Sequence, residues 1–150
     1  MALFEKITED IKAAMLAKES VKLEALRGIK KEFLEAKTAK GNESGELSDE
    51  MGIKILSKMV KQRKESAGIF TAQNRADLAE REIAEAEFIS AYLPKQMNEA
   101  ELTTVIKEII AQVGATNIQD LGKVMGVASK QLAGKADGKL ISQIVRNLLQ

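Results

Sequence analysis

The sequence predicts an all-α protein: an N-terminal antiparallel bundle of about four helices in residues 1–93, then a small three-helix tail domain in residues 94–150. Three observations predict it. A single proline in 150 residues leaves little to interrupt a helix. Alanine, leucine, lysine and glutamate dominate beside isoleucine, and all but isoleucine are strong helix formers. Apolar residues recur every three or four positions in segment after segment, the period of a helix with one buried face. A hydrophobic share of 45% against 30% charged residues can bury a core.

The first helix is expected over about residues 3–17, where Phe4, Ile7, Ile11 and Ala14 share a face. Ser20 is the expected N-cap of the second, whose buried stripe is Leu23, Leu26, Ile29 and Phe33. The polar, glycine-containing segment TAKGNESGE (38–46) reads as a loop. Ser48 is the cap of a third helix, with Asp49 and Glu50 favourably placed at its positive end and Leu56, Met59, Val60, Ala67 and Phe70 on its apolar side. A fourth runs from about Arg75 to Ala91 with Leu78, Ala79, Ile83 and Ala86. Pro94 disfavours helical geometry at Leu93, so the helix ends there and the domain boundary is placed there.

Beyond it, Asn98 with Glu101 three residues on forms a capping-box signal ahead of Leu102, Val105, Ile106, Ile109 and Val113, and Gly114 is a natural stop. Thr116 or Asn117 caps the next helix, expected over 118–132 with Gly134 just past its end. Asp137 caps the last, where Leu140, Ile141, Ile144, Val145, Leu148 and Leu149 repeat. A domain of about 55 residues is near the lower limit for an independent core.

Histidine and cysteine are both absent. Disulfides, zinc held by imidazole or thiolate, cysteine nucleophiles and histidine-based triads are therefore excluded. No apolar run is long enough to cross a membrane, and the N-terminus MALFEKITEDIK has no secretory pattern. These features lead to the expectation of a reducing, cytoplasmic compartment.

Charge separates mildly. Residues 1–93 hold sixteen basic and seventeen acidic side chains, and residues 94–150 hold seven and five. The acidic group Glu80, Glu82, Glu85 and Glu87 reads as a solvated face with Arg81–Glu85 as an i,i+4 pair, opposite the basic run Lys58, Lys61, Arg63 and Lys64. A carboxylate metal site would ordinarily add histidine.

The stretch GKVMGVASKQLAGKADGK (122–139) is the most informative. Glycine costs roughly 1 kcal/mol against alanine inside a helix. On a helical wheel Ile118, Leu121, Met125, Ala128 and Leu132 form the expected apolar stripe. Gly122 and Ser129 fall at its edge, Gly126 just beyond, then Lys123 and Lys130. Lys135 and Lys139 follow in the next turn and Arg146 two turns later. A strip without side chains admits another backbone. Either the glycines serve packing within the protein and the lysines are merely solvated, or Gly122, Lys123, Gly126, Lys130, Lys135, Lys139 and Arg146 form a nucleic-acid-binding face for a phosphate backbone.

The same residues carry a resemblance. YLPKQM (92–97), LGKVMG (121–126) and LAGKADGKLISQIVRNLL (132–149) resemble the tail module of the GatB/YqeY group. LEALRGIKKEF (23–33), ELSDE (46–50), KQRKES (61–66) and NRADLAEREIAEAE (74–87) resemble the free-standing YqeY-like proteins of bacteria. Met97 and VASKQ (127–131) depart mildly, where leucine and a proline are more frequent. The resemblance implies kinship with the tail of the B subunit of tRNA-dependent amidotransferase, where the tail contacts tRNA and the chemistry sits in other domains. It also implies an association with carbon–nitrogen ligase activity using glutamine as amido donor. The residues themselves supply no glutaminase core and no GxxxxGK[ST] loop, so no catalytic residue, metal or cofactor is assigned. The partners implied are tRNA or a protein such as an amidotransferase or synthetase, with no membrane or DNA partner expected.

Overall fold

The computed structural model describes residues 2–150, which form seven α-helices and one short 3-10 turn, with no strand among them. The all-α expectation holds. The chain makes two compact units, Met1–Leu93 and Pro94–Gln150.

In the N-terminal unit α1 (Leu3–Ala17), α2 (Ser20–Thr38), α3 (Asp49–Ala72) and α4 (Ala76–Ser90) close around Ile7, Leu26, Ile29, Phe33, Leu56 and Ile89, all fully buried. Phe4, Ile11, Leu23 and Tyr92 pack at the margin of this core. Asp49 does more than favour the α3 dipole: its Oδ1 accepts the Leu3 N–H at 3.1 Å and so caps α1. Ser48 caps α3 as expected, accepting from Met51 N–H.

Ser20 does not cap α2. It is the first helical residue, preceded by Glu19 without a side-chain cap. The α1–α2 connection is too tight for a cap at Ser20: Lys18 takes a left-handed φ of 57°, Glu19 N–H returns to Ala14 O, and Glu19 O already receives Leu23 N–H. The fourth helix is also rotated from its expected setting. Ile83 is 46% exposed, while Glu85 is 6% exposed. α4 ends before Pro94, through i→i+3 bonds from Tyr92 N–H to Ile89 O and Leu93 N–H to Ser90 O.

The C-terminal unit packs α5 (Glu99–Val113), the 3-10 turn Ile118–Asp120, α6 (Leu121–Gln131) and α7 (Gly138–Leu149). Leu102, Ile106, Val124, Ala128, Leu132 and Val145 lie at its centre. Asn98 caps α5 by accepting Glu101 N–H at 2.8 Å. Its amide also donates to the Glu101 carboxylate, so the reciprocal contact runs side chain to side chain. Gly114 closes α5 at φ 69°, where any other residue would be strained. The helix expected over 118–132 starts as a 3-10 turn, because Asn117 accepts Gln119 N–H and Asp120 accepts Thr116 N–H.

A candidate nucleic-acid interface on the C-terminal unit

The apolar stripe of α6 is not the one expected. Val124 and Ala128 are fully buried and Leu132 nearly so, with Leu121 and Met125 partly covered, whereas Ile118 is 43% exposed. The stripe is therefore rotated toward Val124. On the wheel, its opposite side is the strip of Gly122, Gly126 and Ser129 beside Lys123 and Lys130, all five exposed. The glycines do not sit at the edge of the core; they face outward.

This bears on the two roles open for them. A Cβ placed on Gly122 or Gly126 meets nothing within 4 Å, and neither takes a positive φ. No packing within the described residues and no backbone conformation requires glycine at either site. Gly52 of α3 is the contrast: there a Cβ falls 2.8 Å from Leu3 Cδ2, and the missing side chain lets α1 lie against α3.

The turn between α6 and α7 is held firmly. Gly134 adopts φ 75°, its carbonyl accepts from Gln96 Nε2 at 2.5 Å, and Lys135 O accepts Met97 N–H at 2.9 Å. The segment leading into α5 thus fixes the backbone from which half-buried Lys135 projects. Asp137 starts α7 by accepting Lys139 N–H.

On α7, Ile141, Ile144, Val145 and Leu149 are buried, and Lys139 and Arg146 lie seven residues apart on the outward side. They line one shallow depression together with Ser142, Gln143, Asn147 and Gln150. Those four polar residues are absent from the sequence-based candidates, because their common face shows only once the buried side of α7 is known. From Leu121 to Gln150 the only acid is Asp137. Among the described residues, none of Lys123, Lys130, Lys135, Lys139 and Arg146 has a carboxylate oxygen within 4.0 Å. Asp120, one turn before Lys123, is held below the usual carboxylate range first by the Thr116 N–H and further by Lys123 itself. The geometry joins Gly122, Lys123, Gly126 and Lys130 on one helix face and Lys139 with Arg146 on another, with Lys135 in the turn between.

The acidic group of α4 behaves differently. Glu85 is enclosed, not solvated. Arg63 reaches it from α3, lies 3.4 Å from Glu82, and passes beside Gly28 of α2. Arg81 adds the expected i,i+4 contact to Glu85 at 3.8 Å and also pairs with Glu24. Burial raises the Glu85 carboxyl above the usual glutamate range, and Arg63 pulls the other way. Among the described residues, no group of three His, Cys, Asp or Glu side chains stands in a metal-binding arrangement. Glu82 and Glu85 tie α4 to α3 through Arg63, while Glu80 and Glu87 stay exposed as expected.

The family model for Yqey-like proteins matches residues 4–149. The chain belongs to the Yqey-like family. Relatives of this Yqey-like chain include altered inheritance of mitochondria protein 41, mitochondrial, of Clavispora lusitaniae, 38% identical over 78% of this chain and 70% of that protein. Its namesake in Lachancea thermotolerans is 32% identical over 74% of this chain and 59% of that protein. A third relative, the E subunit of glutamyl-tRNA(Gln) amidotransferase from Thermococcus sibiricus, is 38% identical over 58 residues, covering 36% of this chain but only 9% of that protein.

These matches correct one expectation. The absence of cysteine and of a secretory pattern pointed to the cytoplasm, but the fungal relatives are named as mitochondrial. A lack of cysteine does not distinguish cytoplasm from mitochondrion. Among the described residues no helix is long and apolar enough to cross a membrane.

Proposed function

We propose that this Yqey-like protein is an accessory factor of tRNA amidation whose C-terminal unit contacts the tRNA backbone. The observation that carries this role is the outward face of α6. Gly122 and Gly126 are exposed with open space above them, beside Lys123 and Lys130 without carboxylate partners. Two outward glycines weaken a helix of 11 residues by up to about 1 kcal/mol each. Close approach of an external backbone gives them a purpose, and the neighbouring lysines suit a backbone of phosphates. Lys135, Lys139 and Arg146 extend the cationic surface. Few aromatic side chains are present to stack on bases, so contact is to shape and phosphate. The match to the amidotransferase E subunit supports the link to tRNA amidation, and the names of the fungal relatives support a mitochondrial setting.

Titration of bulk tRNA across a salt series tests this role. Each neutralised phosphate of a double-helical target contributes about −0.9 to the slope of log K against log salt. The Lys123→Glu/Lys130→Glu variant is expected to lose the tRNA preference and flatten the slope. Equal, weak binding to tRNA and to an unstructured RNA of the same length, unaffected by the variant, would reject a tRNA role and move the glycine face to a protein partner.

A further inference from the structure

The outward face of α7 is chemically unlike a simple phosphate-binding surface. Its depression is lined by two cations, Lys139 and Arg146, and four neutral hydrogen-bonding side chains, Ser142, Gln143, Asn147 and Gln150, with no acidic and no apolar side chain. The cations stand about 10 Å apart along the helix axis. Gln143 and Asn147, four residues apart, form a second line beside the first, and Gln150 follows as the C-cap of α7.

Phosphate oxygens only accept hydrogen bonds, so a surface built for phosphates alone needs donors. Each amide side chain brings an acceptor oxygen as well as two donor hydrogens. A ribose 2′-hydroxyl satisfies both, since it donates and accepts, and deoxyribose lacks it. A-form RNA displays these hydroxyls along a wide, shallow minor groove, between the phosphates of its two strands. A helix face carrying cations in one line and amides in the next is matched to that pattern.

We propose that Gln143, Asn147 and Gln150 read ribose 2′-hydroxyls and make the C-terminal unit selective for A-form RNA over DNA, while Lys139 and Arg146 hold the flanking phosphates. This selectivity rests on the RNA-binding role above and assigns a distinct task to residues that carry no charge.

The charge-neutral character of the amides makes the test specific. The full chain is titrated with bulk tRNA, with an RNA hairpin and with a DNA hairpin of the same sequence, across a salt series. The wild type is expected to bind the RNA hairpin more tightly than its DNA counterpart. Gln143→Ala/Asn147→Ala should weaken RNA hairpin binding about tenfold, since two modest hydrogen bonds are lost. DNA binding should stay within about twofold, and the salt slope should not change, because no phosphate contact is removed. Lys139→Gln/Arg146→Gln should weaken both hairpins and shallow both slopes. These positions face solvent, so melting temperature and helicity serve as controls for folding. Equal wild-type affinity for RNA and DNA hairpins overturns the selectivity, as does an amide variant that loses both alike or neither. A wild type that binds no tRNA at low salt overturns the RNA-binding role itself, and the selectivity with it.

Discussion

The Arg63 guanidinium on α3 pairs with the Glu85 carboxylate on α4, and that carboxylate is almost wholly enclosed, its side chain 8% exposed. The same guanidinium lies 3.4 Å from Glu82. A paired buried charge contributes little net stability, but removing its partner is costly. Arg63→Met should therefore destabilise the protein by about 3 kcal/mol, while Glu85→Gln, which keeps an acceptor for Arg63, should stay within about 1 kcal/mol. Urea denaturation of both variants measures the difference; equal losses would mean that the pair does not act as buried charge.

The pH dependence of Glu85 follows from its raised pKa. Burial makes its ionisation harder in the folded than in the unfolded protein, with Arg63 opposing. Its stability contribution is whole below the unfolded glutamate value of about 4.3 and is lost as the pH rises through the higher folded value. Glu85→Gln should remove that decline, so the difference in stability between mutant and wild type should shift in the mutant's favour as the pH rises through this window.

Tyr92, the single tyrosine, donates its hydroxyl to Asp10 Oδ2 across 82 residues of sequence. Burial first, then the Asp10 carboxylate, pushes its ionisation well above the ordinary tyrosine range. Stability from this group is complete below about pH 10 and falls as the pH climbs toward the raised folded value. Absorbance titration should show tyrosinate appearing late, together with unfolding. Tyr92→Phe should lose the alkaline dependence.

Gly126→Ala should stabilise the protein by about 0.5–1 kcal/mol, because the site is mid-helix with open space around the missing Cβ. Gly122→Ala, in the first turn, should gain less. Gly122→Leu should reduce tRNA binding without a comparable loss of stability. Thermal melts and binding at matched folded fraction check both; a large loss of stability would place the glycines in packing after all.

Val124→Ala should cost about 2 kcal/mol, since it empties a fully buried position in a small core, whereas Ile118→Ala, at a 43% exposed position, should change stability by about 0.5 kcal/mol or less. Chemical denaturation distinguishes them directly. The reverse order would restore the stripe read from the sequence.

Much of the fold was legible because it is local. The caps at Ser48, Asn98 and Asp137 and the left-handed stops at Gly114 and Gly134 depend on a few consecutive residues, and the structure places each of them there. Ser20 failed as a cap for a reason still local but harder to see: a two-residue connection through a left-handed Lys18 starts α2 one residue early. The cations of the candidate interface were legible as types and spacings. The polar residues beside them were passed over, because glutamine and asparagine on a helix surface carry no signal until the face they share is known.

That this chain is helical, and where most of its helices begin and end, is legible in the sequence because capping, period and composition act over a turn or two. Which way α4 and α6 face follows instead from packing across the fold. Both helices offer more than one apolar stripe, and what selects among them is distant in sequence. Arg63 draws Glu85 inward at the expense of Ile83, and the packing of α5 and α7 takes Val124 in place of Ile118. That second choice turns Gly122 and Gly126 out to solvent, and with them the surface on which the proposed function depends.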